Sequence, residues 1–88
     1  MVRKRVLVSG EVQGVFYRDT CRRVAERQGG AGWVRNLPDG RVEAVFEGDA
    51  ESVERLVGWT RRGSARATVM AVDIHNEPVE GLTAFEIR

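Results

Sequence analysis

Two short stretches hold the residues best suited to chemistry: "GEVQGVFYR", residues 10–18, and "GWVRN", residues 32–36. In the first, a strand that turns directly into a helix exposes backbone N–H groups that have no partners within the helix. Such groups, at the positive end of the helix dipole, bind anions and phosphate in particular. Gly10 and Gly14 let the backbone curl without a Cβ against the ligand. Arg18, in the first helical turn, can fork two N–H donors onto phosphate oxygens. Asn36, at a strand end, carries one donor and one acceptor, which suits it to hold a water beside a bound phosphoryl group. It is neither an acid nor a base. A site of arginine, asparagine and backbone amides hydrolyses only a substrate that is already activated. A mixed carboxylic-phosphoric anhydride, whose leaving group is a carboxylate, fits that limit.

The elements that must bring these residues together follow from periodicity. "RKRVLVSG" is short, β-branched and ends at Ser9 and Gly10, which reads as a strand and a turn. Tyr17, Cys21, Val24, Ala25 and Gln28 recur at three- and four-residue spacing, the pattern of an amphipathic helix closed by Gly29 and Gly30. "GWVRN" and "GRVEAVFEG" flank the turn "LPDG" and form a hairpin. In its second arm Val42, Ala44 and Phe46 alternate with Glu43 and Glu47, which predicts one buried and one solvated face. Asp49 is placed to cap a second helix carrying Val53, Leu56, Val57 and Thr60 on one side and ending at Arg61, Arg62 and Gly63. "ARATVMAVDIHNE" supplies a fourth strand and "TAFEIR" a short fifth piece.

The order β, α, β, β, α, β predicts a split βαβ sandwich of the α+β class: an antiparallel sheet with two helices on one face. In that topology the first two strands are parallel, joined by a right-handed crossover, with the third between them. The end of the first strand, the start of the first helix and the end of the second strand then meet at one edge. Arg18 and Asn36 are thereby brought together from positions 18 residues apart in sequence.

Composition sets the remaining bounds. Eighty-eight residues are read as one domain, residues 1–88, able to bury roughly 60 to 65 per cent of the unfolded surface. A net charge of +1 gives no electrostatic pull toward nucleic acid. The same element order builds RNA-binding modules that stack bases on aromatics of the central strands. Here the third strand, "RVEAVFE", offers one phenylalanine between two glutamates. A metal-carrying module on this sandwich would need two cysteines in the first loop, and Cys21 is the only cysteine. It falls on the apolar face of the first helix and reads as core. His75 has no ligand-type partner at metal spacing and reads as surface. Trp33 and Trp59 read as packing residues, with Trp33 near the proposed site. No run reaches membrane-spanning length, and a reducing cytoplasm is the expected compartment.

"GEVQGVFYR" followed by "GWVRNLPDGRVEAVFEG" resembles the paired signature of acylphosphatases, and the resemblance extends to the closing "FEIR". It implies a ferredoxin-like α/β sandwich that hydrolyses acyl phosphates to a carboxylate and inorganic phosphate, as a small monomer without metal or other cofactor. By motif position it assigns Arg18 as the phosphate-binding catalytic arginine and Asn36 as the residue that orients the attacking water. It makes Gln13, Gly14, Val15, Phe16 and Tyr17 a phosphate cradle through their backbone, with the substrate's own phosphate as base. Gln13 is expected to hold the loop in shape by hydrogen bonding. Asp19, beside Arg18, would oppose an anion unless it points outward. Acylphosphatase-like domains also occur within larger enzymes that handle carbamoyl phosphate, so a non-catalytic anion- or carbamoyl-phosphate-binding domain is the alternative.

Overall fold

The computed structural model describes all 88 residues. Strand β1 (Val2–Glu11) leads into helix α1 (Tyr17–Gln28), then β2 (Ala31–Asn36), β3 (Val42–Gly48), α2 (Ala50–Thr60), β4 (Thr68–Glu77) and β5 (Phe85–Ile87). The sheet order is β4-β1-β3-β2-β5. The strand pairs β1·β3, β1·β4 and β2·β3 are antiparallel, so β1 and β2 run parallel with β3 between them, as the element order requires. The short fifth piece adds to the outer edge of β2 in parallel, which makes the sheet mixed at that edge.

Both helices lie over the same face because side chains alternate across a strand. Val6 and Val8 of β1, Val34 of β2, and Val42, Ala44 and Phe46 of β3 all point into one fully buried core. Helix α1 lays Tyr17, Cys21 and Ala25 onto it at four-residue spacing, and α2 adds Val53, Leu56, Val57 and Trp59. Gln28, expected on the same stripe, accepts instead from Arg55 Nε at 2.7 Å, tying the two helices at their exposed side. Gly29 closes α1 in the left-handed conformation at φ 72°. Asp49 occupies the N-cap of α2 as read from the sequence, but its backbone carbonyl, not its side chain, makes the bond, to Val53 N at 2.9 Å.

Two local expectations are corrected. The first strand does not turn at Ser9 and Gly10; it continues to Glu11 through a bulge at that point. Gly10 is therefore a packing glycine, since a Cβ there would collide with the Thr68 carbonyl of β4. The second correction concerns β3, every residue of which is buried. Glu43 and Glu47 do leave the core face, but arginines and a loop cover them. Arg5 and Arg35 reach Glu43, Arg35 Nε at 2.6 Å, and Arg5 also binds Glu77.

Glu47, fully buried, faces Arg3 at 2.8 Å. It also accepts the backbone N–H groups of Glu80, Gly81 and Leu82 at 2.9, 3.1 and 3.0 Å. Burial by itself would push the Glu47 carboxyl up, but those three N–H groups and the Arg3 guanidinium outweigh it and hold the pKa at about 2. The consequence reaches the far edge of the sheet. Glu47 fixes the turn of chain that carries β5 into place beside β2.

Candidate active site

The expected edge exists. A cavity of about 310 Å³ opens between the loop after β1, the first turn of α1, the end of β2 and the end of β5. Its walls are Val12, Gly14, Phe16, Tyr17, Arg18, Asp19, Asn36 and Ile87.

The loop is shaped by two left-handed residues two positions apart, Gly14 at φ 73° and Phe16 at φ 62°. Such conformations turn successive N–H groups toward a common centre, the geometry of an anion nest. Gly14 has open space where a Cβ would stand. The N–H groups of Gln13, Gly14, Val15 and Phe16 donate to no other group of the chain. Those of Tyr17, Arg18 and Asp19 precede the first intrahelical bond, which runs from Thr20 N to Phe16 O at 3.1 Å. No side chain caps α1. A continuous series of unpaired donors thus runs along the loop and into the helix start.

Several anchors hold this loop. Gln13 Nε2 donates to the carbonyls of Leu37 at 2.8 Å and Arg41 at 3.0 Å, so it ties the loop to the β2–β3 turn as its expected role required. Ser64 Oγ donates to the Val15 carbonyl at 2.6 Å from the turn after α2. Tyr17 is buried, packs against Trp59 with ring centroids 5.0 Å apart and planes tilted by 49°, and donates its hydroxyl to the Thr60 carbonyl at 2.9 Å. Burial pushes its phenol pKa well up, so the side chain stays protonated and structural. Of the five cradle residues, Gly14, Phe16 and Tyr17 line the cavity, and Gln13 and Val15 do not.

Arg18 is half-buried on the first turn of α1, and its Nη1 donates to the Arg88 carbonyl at 3.4 Å. That contact links the first turn of α1 to the residue after β5. Asn36 shares the helix-facing side of β2 with Val34, two residues earlier. Its Oδ1 is buried and accepts no hydrogen bond from the chain. A buried amide oxygen without a partner is rare, because desolvation without compensation costs about 1–3 kcal/mol. Asp19 lies on the rim and is held by Arg23 Nη2 at 3.1 Å one helical turn away, with its carboxylate half exposed.

Other readings fall outside the cavity. Cys21 is fully buried in the core, and burial pushes its thiol pKa up, away from the reactive thiolate. His75 is exposed on β4. Trp33 points to the opposite face of the sheet, where its ring lies 5.4 Å from the Arg35 and 5.0 Å from the Arg88 guanidinium carbon. No group of three or more His, Cys, Asp or Glu side chains is arranged to hold a metal. No helix is long and apolar enough to cross a membrane. Residues that the motifs did not disclose are Ser64, Ile87 and Arg88. Each sits far along the chain from the loop it contacts and carries no periodic signal of its own.

Known proteins share this arrangement. The sequence model of the acylphosphatase family matches residues 4–87. An acylphosphatase of Rubrobacter xylanophilus is 58% identical over 98% of this chain and 79% of its own length. One from Gloeobacter violaceus is 56% identical over 98% and 92%. The crystal structure of acylphosphatase from Bacillus subtilis superimposes with a TM-score of 0.97 at 34% identity, covering 100% of this chain and 99% of that one. With the family model spanning all but the outermost residues and two relatives above half identity, the chain belongs to the acylphosphatase family.

Proposed function

We propose that acyl phosphate hydrolysis, the reaction of the family to which the chain belongs, takes place in the cavity between the loop after β1 and the end of β2. The backbone of Gln13 to Tyr17 and the guanidinium of Arg18 hold the phosphoryl oxygens, and Asn36 orients the attacking water. The observation that carries this division of labour is the pairing of opposite hydrogen-bond needs across one cavity. The loop side offers a run of unpaired backbone donors, and the β2 side offers the buried acceptor Asn36 Oδ1.

A phosphoryl group satisfies the donors, and a water donating to Asn36 Oδ1 satisfies the acceptor while its lone pair faces phosphorus. The water oxygen forms the new P–O bond as the bond to the acyl oxygen breaks. The departing carboxylate is a weak base and leaves without a proton. The proton of the water passes to a phosphate oxygen, so the side chains need supply no base. Arg18 and the nest amides neutralise charge on the equatorial oxygens, where pre-aimed donors act most strongly.

One core cluster underlies both helices and the sheet, which supports residues 1–88 as a single domain. Cys21, free and buried, is compatible with a reducing cytoplasm. A reading as an RNA-binding module is disfavoured by the open sheet face, where Glu43 and Glu47 are engaged by arginines and Trp33 is flanked by two guanidiniums.

The test is hydrolysis of benzoyl phosphate by the purified chain in the presence of a metal chelator, beside Arg18→Ala. Wild-type turnover with none by the folded variant is expected. A folded wild type that binds phosphate but releases no benzoate would instead make the loop a non-catalytic anion site.

A further inference from the structure

The sheet ends at β4 on one side, and no strand of the chain lies beyond it. Which backbone groups of β4 lack a partner follows from hydrogen bonds at the other end of the sheet. Gly32 N donates to the Ala84 carbonyl and Arg88 N to the Val34 carbonyl, so the even-numbered residues of β2 turn their backbone groups toward β5. Alternate residues of a strand turn these groups to opposite sides. Trp33 and Arg35 therefore face β3, and the alternation passes across each paired strand in turn. On β1, Arg3, Arg5 and Leu7 face β4, where they oppose Glu77, His75 and Asp73. The N–H and C=O groups of Val72, Ile74 and Asn76 are left pointing outward.

Exposed edges are ordinarily blunted by lysine, proline or a bulge. Here a bulge and a proline flank the open stretch rather than interrupt it. Ser9 opposes Ala71 and Gly10 opposes Val69, so Met70 forms the bulge, and Pro78 follows the last residue of the strand. Between them residues 71–77, "AVDIHNE", form a regular ladder without lysine, proline or glycine. Ile74 is the midpoint of that stretch, and its side chain is 36% exposed.

One antiparallel self-pairing suits this edge. A two-fold axis at Asp73 sets two carboxylates against each other, and one at His75 sets Asp73 against Glu77. An axis at Val72 brings the Met70 bulge into the ladder, and one at Asn76 sets Pro78, which has no N–H, opposite Ile74. An axis at Ile74 avoids all four conflicts. Ile74 then meets its own copy, Val72 meets Asn76, Ala71 meets Glu77, and Asp73 meets His75. The last pair is of the closer, non-hydrogen-bonded kind and occurs twice, an imidazole N–H against a carboxylate each time. Arg5, opposite His75 within the chain, is engaged by Glu43 and Glu77, so the exposed Asp73 and His75 are free for a partner.

We propose that the edge of β4 is the interface of a reversible homodimer of this chain, with Ile74 on the two-fold axis and Asp73 of each copy opposite His75 of the other. The two five-stranded sheets join into one, with the helices of both copies on the same face, because directly opposed residues share a face. No residue of β4 lines the cavity, so each copy keeps a complete site. The dimer replaces the monomer that the family resemblance implies and leaves its chemistry intact. It also closes on itself, since both copies consume the long edge and only the three-residue β5 remains at either end. Small interfaces bind weakly, so a dissociation constant of roughly 100 μM is expected.

Sedimentation velocity of the purified chain at neutral pH, from about 10 μM to about 1 mM, measures that constant. Asp73→Lys and His75→Glu are each expected to weaken association about tenfold, because each destroys the complementary pair at both of its positions. The double variant exchanges the two roles and is expected to recover association to within about threefold of the wild type. Both residues are exposed, and circular dichroism with thermal unfolding verifies that each variant is folded. A wild type that stays monomeric at about 1 mM overturns the proposal. So does association that either single variant leaves unchanged, or that the double variant fails to recover, since the contact then lies elsewhere.

Discussion

The Glu47 carboxylate and the Arg3 guanidinium meet at 2.8 Å with neither side chain more than 7% exposed. The pair joins the third strand to the first on the sheet face that carries no helix. Glu47 adds three backbone N–H partners from residues 80–82, and Arg3 adds Glu77 and Glu80. Both oxygens of Glu47 thereby accept two bonds each, and each nitrogen of Arg3 meets a carboxylate, the condition under which a buried ion pair is retained.

The pH dependence of stability follows from that geometry. The Glu47 pKa falls from the usual 4.5 to about 2, and Glu77 is held below its usual range by Arg5 and Arg3. A depressed carboxyl stabilises the fold above its unfolded pKa and loses that contribution as pH falls through the folded value. Glu47 alone is worth about 3 kcal/mol on this linkage, present at pH 7 and lost between about pH 5 and 2. Urea unfolding across that range is expected to show the decline. Glu47→Gln is expected to destabilise by about 3 kcal/mol at pH 7 and to flatten the acid limb; a variant with the wild-type acid limb would assign the decline to other carboxylates.

Asn36→Ala removes the unpaired acceptor from the end of β2. Water positioning acts in the transition state, so kcat is expected to fall about a hundredfold while KM changes by less than about threefold. A change confined to KM would assign Asn36 to substrate contact. The loss of a buried polar atom that has no partner in the chain is expected to leave stability equal or slightly higher.

Ser64→Ala tests the anchor behind the cradle. The Val15 carbonyl loses the 2.6 Å bond from Ser64 Oγ, and stability is expected to fall by about 1 kcal/mol. The inhibition constant for inorganic phosphate is expected to rise about threefold as the nest loosens. Unchanged phosphate affinity would confine Ser64 to stability.

Gln13→Ala cuts both bonds from the loop to the β2–β3 turn, at Leu37 and Arg41. This tether joins the loop after β1 to the turn that follows Asn36. A fall of about tenfold in kcat/KM is expected, since a displacement of the order of 1 Å between reacting groups carries a penalty of that size or more. Amide exchange of Gly14 to Tyr17 is expected to quicken in the same variant.

Much of this arrangement is legible in the sequence. Arg18 and Asn36 adjoin element ends, and periodicity locates those ends to within a residue or two. The strand order follows from the element order, so the convergence of the two motifs follows as well. What periodicity conceals is the far side of the sheet. Glu43 and Glu47 alternate as solvated residues would, and only the arginines at 3, 5 and 35 and the turn at 80–82 bury them. Their hidden state depends on partners 8 to 44 positions away, which no local pattern records. Ser64 and Ile87 escape for the same reason: one hydroxyl in "RRGSARAT" and one apolar residue in "FEIR" look like any others. The bulge at Gly10 imitates a turn because glycine marks both.

Strand β1 lies between β3 and β4, the third and fourth strands of the chain, so neither of its neighbours is local. Arg3 pairs in register with Glu77, 74 residues later, and with Glu47, 44 residues later. Closing such long loops precedes any reward from pairing, which slows folding relative to a chain of local contacts. The centre of the sheet must wait for most of the chain, and phosphate added during refolding would bind only after that wait.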